Sequence, residues 1–323
     1  MHSEKLAFLV MVAALIIAPA FSYPVFLMKA LCFALFACAF NLLIGFVGLL
    51  SFGHALFFGW GAYVSAHLAK VGTVSLPYWP GAWLTLSLPP LPPELAILGG
   101  TLFAALCGLV VGMLAIRRQG IYFAMITLAL AQMMFFFAVQ APFTHGEDGI
   151  QAVPRGKLFG LIDLSAQGNM YYLVLVIFLA GFLLIYRIIN SPFGEVLKAI
   201  RENEMRAISL GYKTERYKLL AFVLSATFAG AAGATKALVF QLASLTDVDW
   251  PMSGEVILMT LVGGLGTLFG PVAGAFFMVT LENYLTTWGS WVFVVQGAIF
   301  VVCVLVFRRG FIGELAHLLR IRL

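Results

Sequence analysis

The residues able to do chemistry are few and widely spaced. Within apolar stretches stand Asn41, Ser51, His54, Thr127, Gln132, Glu255, Thr260, Thr267, Glu282, Asn283 and Gln296. Ionisable groups in apolar segments are expensive, so Glu255 and Glu282 carry a functional expectation, unless each sits where its segment meets water. His54 titrates near neutrality and suits a proton carrier; its ring equally suits a hydrogen bond that closes a break in the backbone beside Gly53. Catalysis asks for a converging nucleophile, base or set of metal ligands. The sequence has no HExxH, no GxSxG and no G-x-x-x-x-G-K-[ST], so neither an intramembrane enzyme nor a nucleotide-binding chain is indicated. Cys32, Cys38, Cys107 and Cys303 fall in apolar runs without CxxC spacing, which suggests no metal site and no disulfide framework.

Two glycine-rich stretches echo one another. Gly48-Leu49-Leu50-Ser51-Phe52-Gly53-His54 precedes the apolar run from Ala55 to Ala62, and Gly263-Gly264-Leu265-Gly266-Thr267-Leu268-Phe269-Gly270 precedes the run that opens at Pro271. Matching glycine-interrupted segments in two halves point to the central site of a transporter, where broken helices offer backbone groups to a substrate. Close helix packing through small residues explains the same glycines with no substrate at all. On the first reading the substrate pathway contains Asn41, Ser51, Gly53, His54, Glu255, Gly264, Gly266, Thr267 and Gly270.

The elements that must position these residues are membrane spans. The chain has 323 residues, 62% of them hydrophobic and 10% charged, with a mean hydropathy of +1.02. That composition describes a polytopic membrane protein rather than a soluble core. The net charge of +5 is not gathered into a face with interleaved aromatics, so basic loops beside anionic lipid account for it and no nucleic acid partner is expected. Apolar segments lie near 6–22, 25–49, 53–69, 94–116, 119–140, 170–189, 218–240, 254–265, 268–286 and 289–307. The first is read as a retained span rather than a signal peptide, because apolar segments follow it. The fold class expected is all-α: a polytopic bundle of about 8–10 spans with glycine-broken or re-entrant helices and an internal inverted repeat. The segments 53–69 and 254–265 are short for a span, and keeping both or losing both as re-entrant segments preserves the parity of the rest.

With the N-terminus inside, ten alternating crossings place Lys5, Arg117, Arg118, the basic cluster from Arg187 to Lys218, and Arg308, Arg309, Arg320 and Arg322 in the cytoplasm. Both termini are then cytoplasmic. Lys29, Lys70, Arg155, Lys157 and Lys236 remain at or near the outer side. The whole chain, 1–323, reads as one transmembrane domain with a cytoplasmic loop at 190–217 and periplasmic loops at 71–93 and 141–169. The first outer loop is rich in Pro and Trp, as an interfacial segment is. The second holds Thr144, Gly146, Asp148 and Gly149 in a turn-prone acidic patch, read either as ordinary loop chemistry or as a docking point for a partner.

Arg187–Lys218 is the one long polar stretch. Ser191-Pro192 suits a helix start and Gly211 a helix stop. Phe193, Val196, Leu197, Ile200, Ala207 and Ile208 recur at helical spacing, so a single amphipathic helix on the membrane surface is predicted.

The run from Lys198 through Gly211-Tyr212, continuing into Tyr217–Phe222, resembles the coupling loop of ABC importer permeases. The segment from Glu255 to Pro271, together with Ser51-Phe52-Gly53-His54 and Thr144–Gly149, resembles the permease family of branched-chain amino acid importers, on the LivM side of the LivH/LivM pair. The resemblance covers about residues 25–310. The general coupling pattern has Glu-Ala-Ala, three residues, then Gly; here Ala207 and Gly211 keep the spacing while Met205 stands at the glutamate's place and Arg206 at the first alanine's. The resemblance implies a bacterial inner-membrane subunit that translocates leucine, isoleucine or valine. Urea, short amides or other amino acids are the alternatives on the same architecture, and a proton-coupled carrier is a third. It further implies a LivH-like second permease subunit in a heterodimer, two cytoplasmic ATPase subunits that bind ATP and Mg, and a periplasmic binding protein. The chain itself would hold no cofactor and no metal, and would not be an enzyme. Arg201, Glu202, Glu204, Arg206, Ala207 and Gly211 would form the ATPase-coupling surface, with Thr144, Gly146, Asp148 and Gly149 docking the binding protein.

Overall fold

A computed structural model describes residues 2–70, 73–79, 82–87, 90–118 and 120–285, with scattered positions between 294 and 310. The span expected at 289–307 and the C-terminal arginines lie outside the described residues. The helices are α1 (His2–Ile17), α2 (Pro24–Ile44), α3 (His54–Lys70), α4 (Pro93–Ala115), α5 (Ile121–Gln140), α6 (Gln167–Ile189), α7 (Pro192–Glu202), α8 (Glu204–Ser209), α9 (Thr214–Phe240), α10 (Trp250–Gly263) and α11 (Gly270–Leu285). Five of them, α2, α4, α5, α6 and α9, are long and apolar enough to cross a membrane by themselves.

Starts and stops follow local chemistry. Proline occupies the first turn of α2, α4, α7 and α10, where its missing N–H leaves no bond unmade and its fixed φ is already helical. Apart from Lys29, every residue from Leu27 to Leu43 is buried. A helix apolar on all sides belongs in the centre of a bundle, and α2 lies there, against α6, α9 and α11. The remaining core is α9 packed on α3 and α4. Small residues make that contact possible: a Cβ on Gly61 would lie 2.5 Å from the Gly230 carbonyl oxygen, and one on Gly233 would overlap the Phe58 carbonyl oxygen. Backbones that approach this closely gain dispersion contacts that larger side chains forbid. By contrast α4 and α5 turn Leu98, Leu102, Leu106, Met125, Met133 and Phe136 outward, as faces toward lipid or a second subunit do.

Contacts fix the direction of each helix. The ring of Phe8 stacks on Phe182 at 6.0 Å and the Tyr171 hydroxyl donates to the Leu15 carbonyl, so α1 and α6 are antiparallel. Lys29 meets Glu282 near one end of α2, and Asn41 meets Thr267 near the other, so α11 runs opposite to α2. The nine helices α1–α6 and α9–α11 alternate between a basic end, carrying α7, α8, Arg117 and Arg118, and a loop end, carrying 141–166. At 14 residues α10 is about 21 Å long, short of the roughly 30 Å of a hydrocarbon core, and it folds back directly into α11. Both glycine stretches lead into helices, α3 and α11, that run toward the loop end.

Two local expectations are refined. Within the expected interfacial loop, Thr73–Trp79 and Ala82–Ser87 pair as antiparallel strands, with Thr73 opposite Ser87 and Pro77 opposite Trp83. The alternation of Thr73-Val74-Ser75-Leu76 is a period-two pattern that the surrounding prolines obscure. The stretch from Ser191 to Gly211 is two helices, not one.

Candidate functional site

The division of that stretch falls at Asn203, whose φ of −157° and ψ of 97° are extended. Its Oδ1 accepts from the Arg206 backbone N–H at 3.0 Å, capping α8. Asparagine competes for backbone donors in this way, which makes it a better helix start than a helix interior. Ser191 caps α7, accepting from the Gly194 N–H at 3.4 Å while its hydroxyl donates to the Ile188 carbonyl at 2.6 Å. Leu197 and Ile200 face inward with Ala207, and Phe193 and Val196 are half-buried. Gly211 ends α8 with φ +91° and open space around it.

Of the residues expected to couple, Glu202, Arg206 and Gly211 are exposed and Ala207 is buried. Glu204 turns inward: its Oε1 lies 2.5 Å from Lys218 Nζ and accepts from the Thr214 hydroxyl at 3.2 Å, tying α8 to the start of α9. The surface left outward is apolar as well as charged, with Met205, Ile208, Leu210 and Tyr212 all exposed. Helical spacing grouped Ile208 with Leu197, Ile200 and Ala207, but the extended backbone at Asn203 breaks that period and Ile208 is exposed.

Arg201 links this surface to both glycine stretches. Its guanidinium donates to the Gly45 carbonyl at the C-terminus of α2. A Cβ on Gly48 would lie 3.2 Å from Arg201 Cγ, and one on Gly266 would lie 3.0 Å from Arg201 Nη1. A cation at a helix C-terminus also meets the negative end of the helix dipole. Beside it, Asn41 Nδ2 donates to the Thr267 carbonyl at 2.8 Å and Asn41 Oδ1 accepts from the Gly266 N–H at 3.0 Å. The Thr267 hydroxyl donates to the Gly264 carbonyl and accepts from the Gly270 N–H. Asn41, Gly264, Gly266, Thr267 and Gly270 therefore gather at the basic end, where Asn41 of α2 and Thr267 take backbone donors of the turn between α10 and α11.

Ser51, Gly53 and His54 lie elsewhere, in the core at the start of α3. The N–H groups that a helix start leaves unpaired are taken by this chain's own hydroxyls: Phe52 by Thr127, Gly53 by Ser51, and Ala55 by Ser253. His54 Nε2 is 2.8 Å from the Ser225 hydroxyl, which spends its one hydrogen on the Ala39 carbonyl. The imidazole must then donate from Nε2, bridging α3 to α9 and α2. Phe40, Phe57 and Phe222 stand edge-on around it.

At the loop end, the Thr144 hydroxyl is buried 2.6 Å from each of the Ala138 and Ala141 carbonyls, closing the end of α5. His145, Gly146 and Gly149 take positive φ, and a Cβ on Gly149 would overlap the Ala243 carbonyl oxygen. Glu147 and Asp148 are left exposed. Ile150 pairs with Ala243, which fixes the patch beside the start of α10.

Also toward the loop end, α2, α9, α10 and α11 enclose a cleft of about 880 Å³. Glu255 is the one residue of the expected pathway that lines it. Lys29, Lys236, Asp247 and Glu282 line it too. Lys29 Nζ is 2.7 Å from Glu282 Oε2, and Lys236 is paired with Asp247. Lysines inside apolar helices were a legible signal in the sequence, since each needs a partner; Asp247 was not, because its place beside Lys236 depends on how the segment after α9 folds back.

The family model described as branched-chain amino acid transport system / permease component matches residues 24–304. The chain is 27% identical to the high-affinity branched-chain amino acid transport system permease protein LivM of Escherichia coli, over 81% of this chain and 63% of that protein. It thus spans less than two thirds of that relative's length. It is 25% identical to a probable branched-chain amino acid transport permease protein LivH of Methanocaldococcus jannaschii, over 70% of this chain and 68% of that one. It is 26% identical to the xylose transport system permease protein XylH of Escherichia coli, over 51% of this chain and 44% of that one. No solved structure matches.

Proposed function

The chain belongs to the branched-chain amino acid transport permease family, and from that premise we propose that it is the membrane subunit of an ATP-driven importer of leucine, isoleucine or valine. The observation that carries this reading is the α7–α8 surface. It presents Met205, Ile208, Leu210 and Tyr212 to solvent beside Glu202 and Arg206, as a helix pair seated in a partner's groove would. Arg201 ties the same pair to α2 and to the turn between α10 and α11. Movement of a seated partner would then tilt the helices rather than bend a loop.

In this reading the basic end and both termini are cytoplasmic in an inner membrane, as basic loops favour. Two ATPase subunits bind ATP and Mg and do the hydrolysis; this chain is not an enzyme. A second, LivH-like permease subunit completes the channel against an apolar outer face. A periplasmic binding protein delivers substrate to the loop end, where Glu147 and Asp148 are exposed.

The test is uptake by the complex rebuilt in proteoliposomes with its neighbouring permease, ATPase and binding-protein subunits. ATP-dependent accumulation of L-leucine is the expected result. Accumulation driven by an ion gradient in this chain alone, indifferent to ATP, would overturn the proposal.

A further inference from the structure

Count the charges that line the cleft between α2, α9, α10 and α11. Among the described residues two are cations, Lys29 and Lys236, and four are carboxylates, those of Asp247, Asp249, Glu255 and Glu282. Three carboxylates have work inside the fold. Glu282 pairs with Lys29, Asp247 with Lys236, and Asp249 caps α10 by accepting from the Trp250 N–H at 2.8 Å. Glu255 makes no hydrogen bond or ion pair with any described residue and is partly buried. A lone carboxylate in such a place is stabilised by a cation brought from outside. Beside it the cleft has an apolar wall in Phe33, Phe240, Met252 and Leu258.

We propose that this cleft is a binding station for the zwitterionic substrate on its way through the membrane. Glu255 accepts the substrate's ammonium group. Lys29 and Lys236, each held within the cleft by a carboxylate partner, receive the substrate's carboxylate, each ammonium being shared between its partner and the substrate. The apolar wall takes the side chain. A cleft with both signs and an apolar wall suits a free amino acid with an aliphatic side chain better than a sugar, which brings no charge to Glu255. The inference rests on the importer reading and adds a site to it.

The experiment uses the assembled importer in proteoliposomes. In a chain with its four cysteines replaced by alanine, Thr246→Cys at the cleft is labelled by a positively charged thiol reagent. Binding protein loaded with L-leucine, with ATP present, should slow labelling about fivefold or more, and empty binding protein should not. Glu255→Gln should remove that protection and lower maximal L-leucine uptake about tenfold or more at saturating loaded binding protein, and Glu255→Asp should restore part of both. Maximal uptake by the Gln chain within about twofold of the parent would overturn the proposal. The protection arm keeps Glu255, so an absence of protection there overturns it even where the Gln chain does not assemble. An importer with no ATP-dependent L-leucine uptake before any substitution sinks the importer reading and this inference with it, whereas normal uptake that ignores Glu255 sinks the inference alone.

Discussion

Lys218 Nζ sits 2.5 Å from Glu204 Oε1, and the lysine side chain is only 5% exposed. The pair explains how a six-residue helix, too short to be stable by itself, keeps a fixed place beside α9. It also decides between Glu202 and Glu204, the two acidic residues expected to couple. Glu204 holds the surface together from within, and Glu202 is the carboxylate a partner can reach.

Glu204→Gln leaves Lys218 buried without a counter-charge, and should cost about 1–3 kcal/mol, between the values for exposed and buried pairs. Thermal unfolding of the purified chain and proteolysis at 203–212 would report it. Adding Lys218→Met should recover most of the loss, because the stranded charge is gone. Glu202→Gln should leave stability unchanged; a loss equal to that of Glu204→Gln would contradict the assignment.

Arg201→Met removes the donor to the Gly45 carbonyl and the group that touches Gly266. Uptake per ATP hydrolysed should fall several-fold, because hydrolysis no longer drives α2 and the turn before α11 as one body. Arg201→Lys should rescue only part, since the lysine ammonium is a compact point charge without the fixed planar geometry that sets Arg201 Nη1 against the Gly45 carbonyl. Equal stoichiometry in all three chains would remove Arg201 from the coupling route.

At Gly211, with φ +91° and no neighbour to a Cβ, the strain is purely conformational. Alanine there should cost about 1 kcal/mol and asparagine less. A bulky charged residue should add a defect in ATPase partner affinity beyond that shared strain, measured by titrating the ATPase onto the permease.

Gly233→Ala drives a methyl into the Phe58 carbonyl. Separating α3 from α9 should cost about 3 kcal/mol or more and lower the yield of folded chain. Gly168→Ala, with open space around it, is the control and should be neutral.

Thr144→Val removes the hydroxyl shared by the Ala138 and Ala141 carbonyls, of which only Ala141 keeps a donor in the Thr144 backbone N–H, and should cost about 1 kcal/mol at the end of α5. Asp148→Asn should leave stability alone and weaken association of the binding protein in a salt-dependent way, as a rim charge does. Association measured across ionic strengths separates the two.

Much of this protein is legible in its sequence. Hydropathy places α2, α4, α5, α6 and α9, since a span is a property of about 20 consecutive side chains and of the solvent around them. The parity of basic residues recovers the short helices α3 and α10, because charge asymmetry is counted over loops and needs no contacts. Ser191-Pro192 and Gly211 mark real boundaries for the same local reason: caps depend on residues three or four positions apart. The break at Asn203 was there to be read as a capping residue, but the hydrophobic period ran through it.

What only the tertiary structure decided are the meetings across long separations. The glycine stretches look alike in sequence, yet one closes on Thr127 and Ser253 in the core while the other is pinned by Asn41 beside Arg201. Glu255 shares a cleft with Lys29 and Lys236, and Glu204 faces Lys218, because helices far apart in the chain were brought alongside. A residue's neighbours along a helix follow from its period, whereas its neighbours on other helices follow from which small residues let which backbones approach. That choice is made by the packing of the whole bundle, so the roles of its charges are settled there.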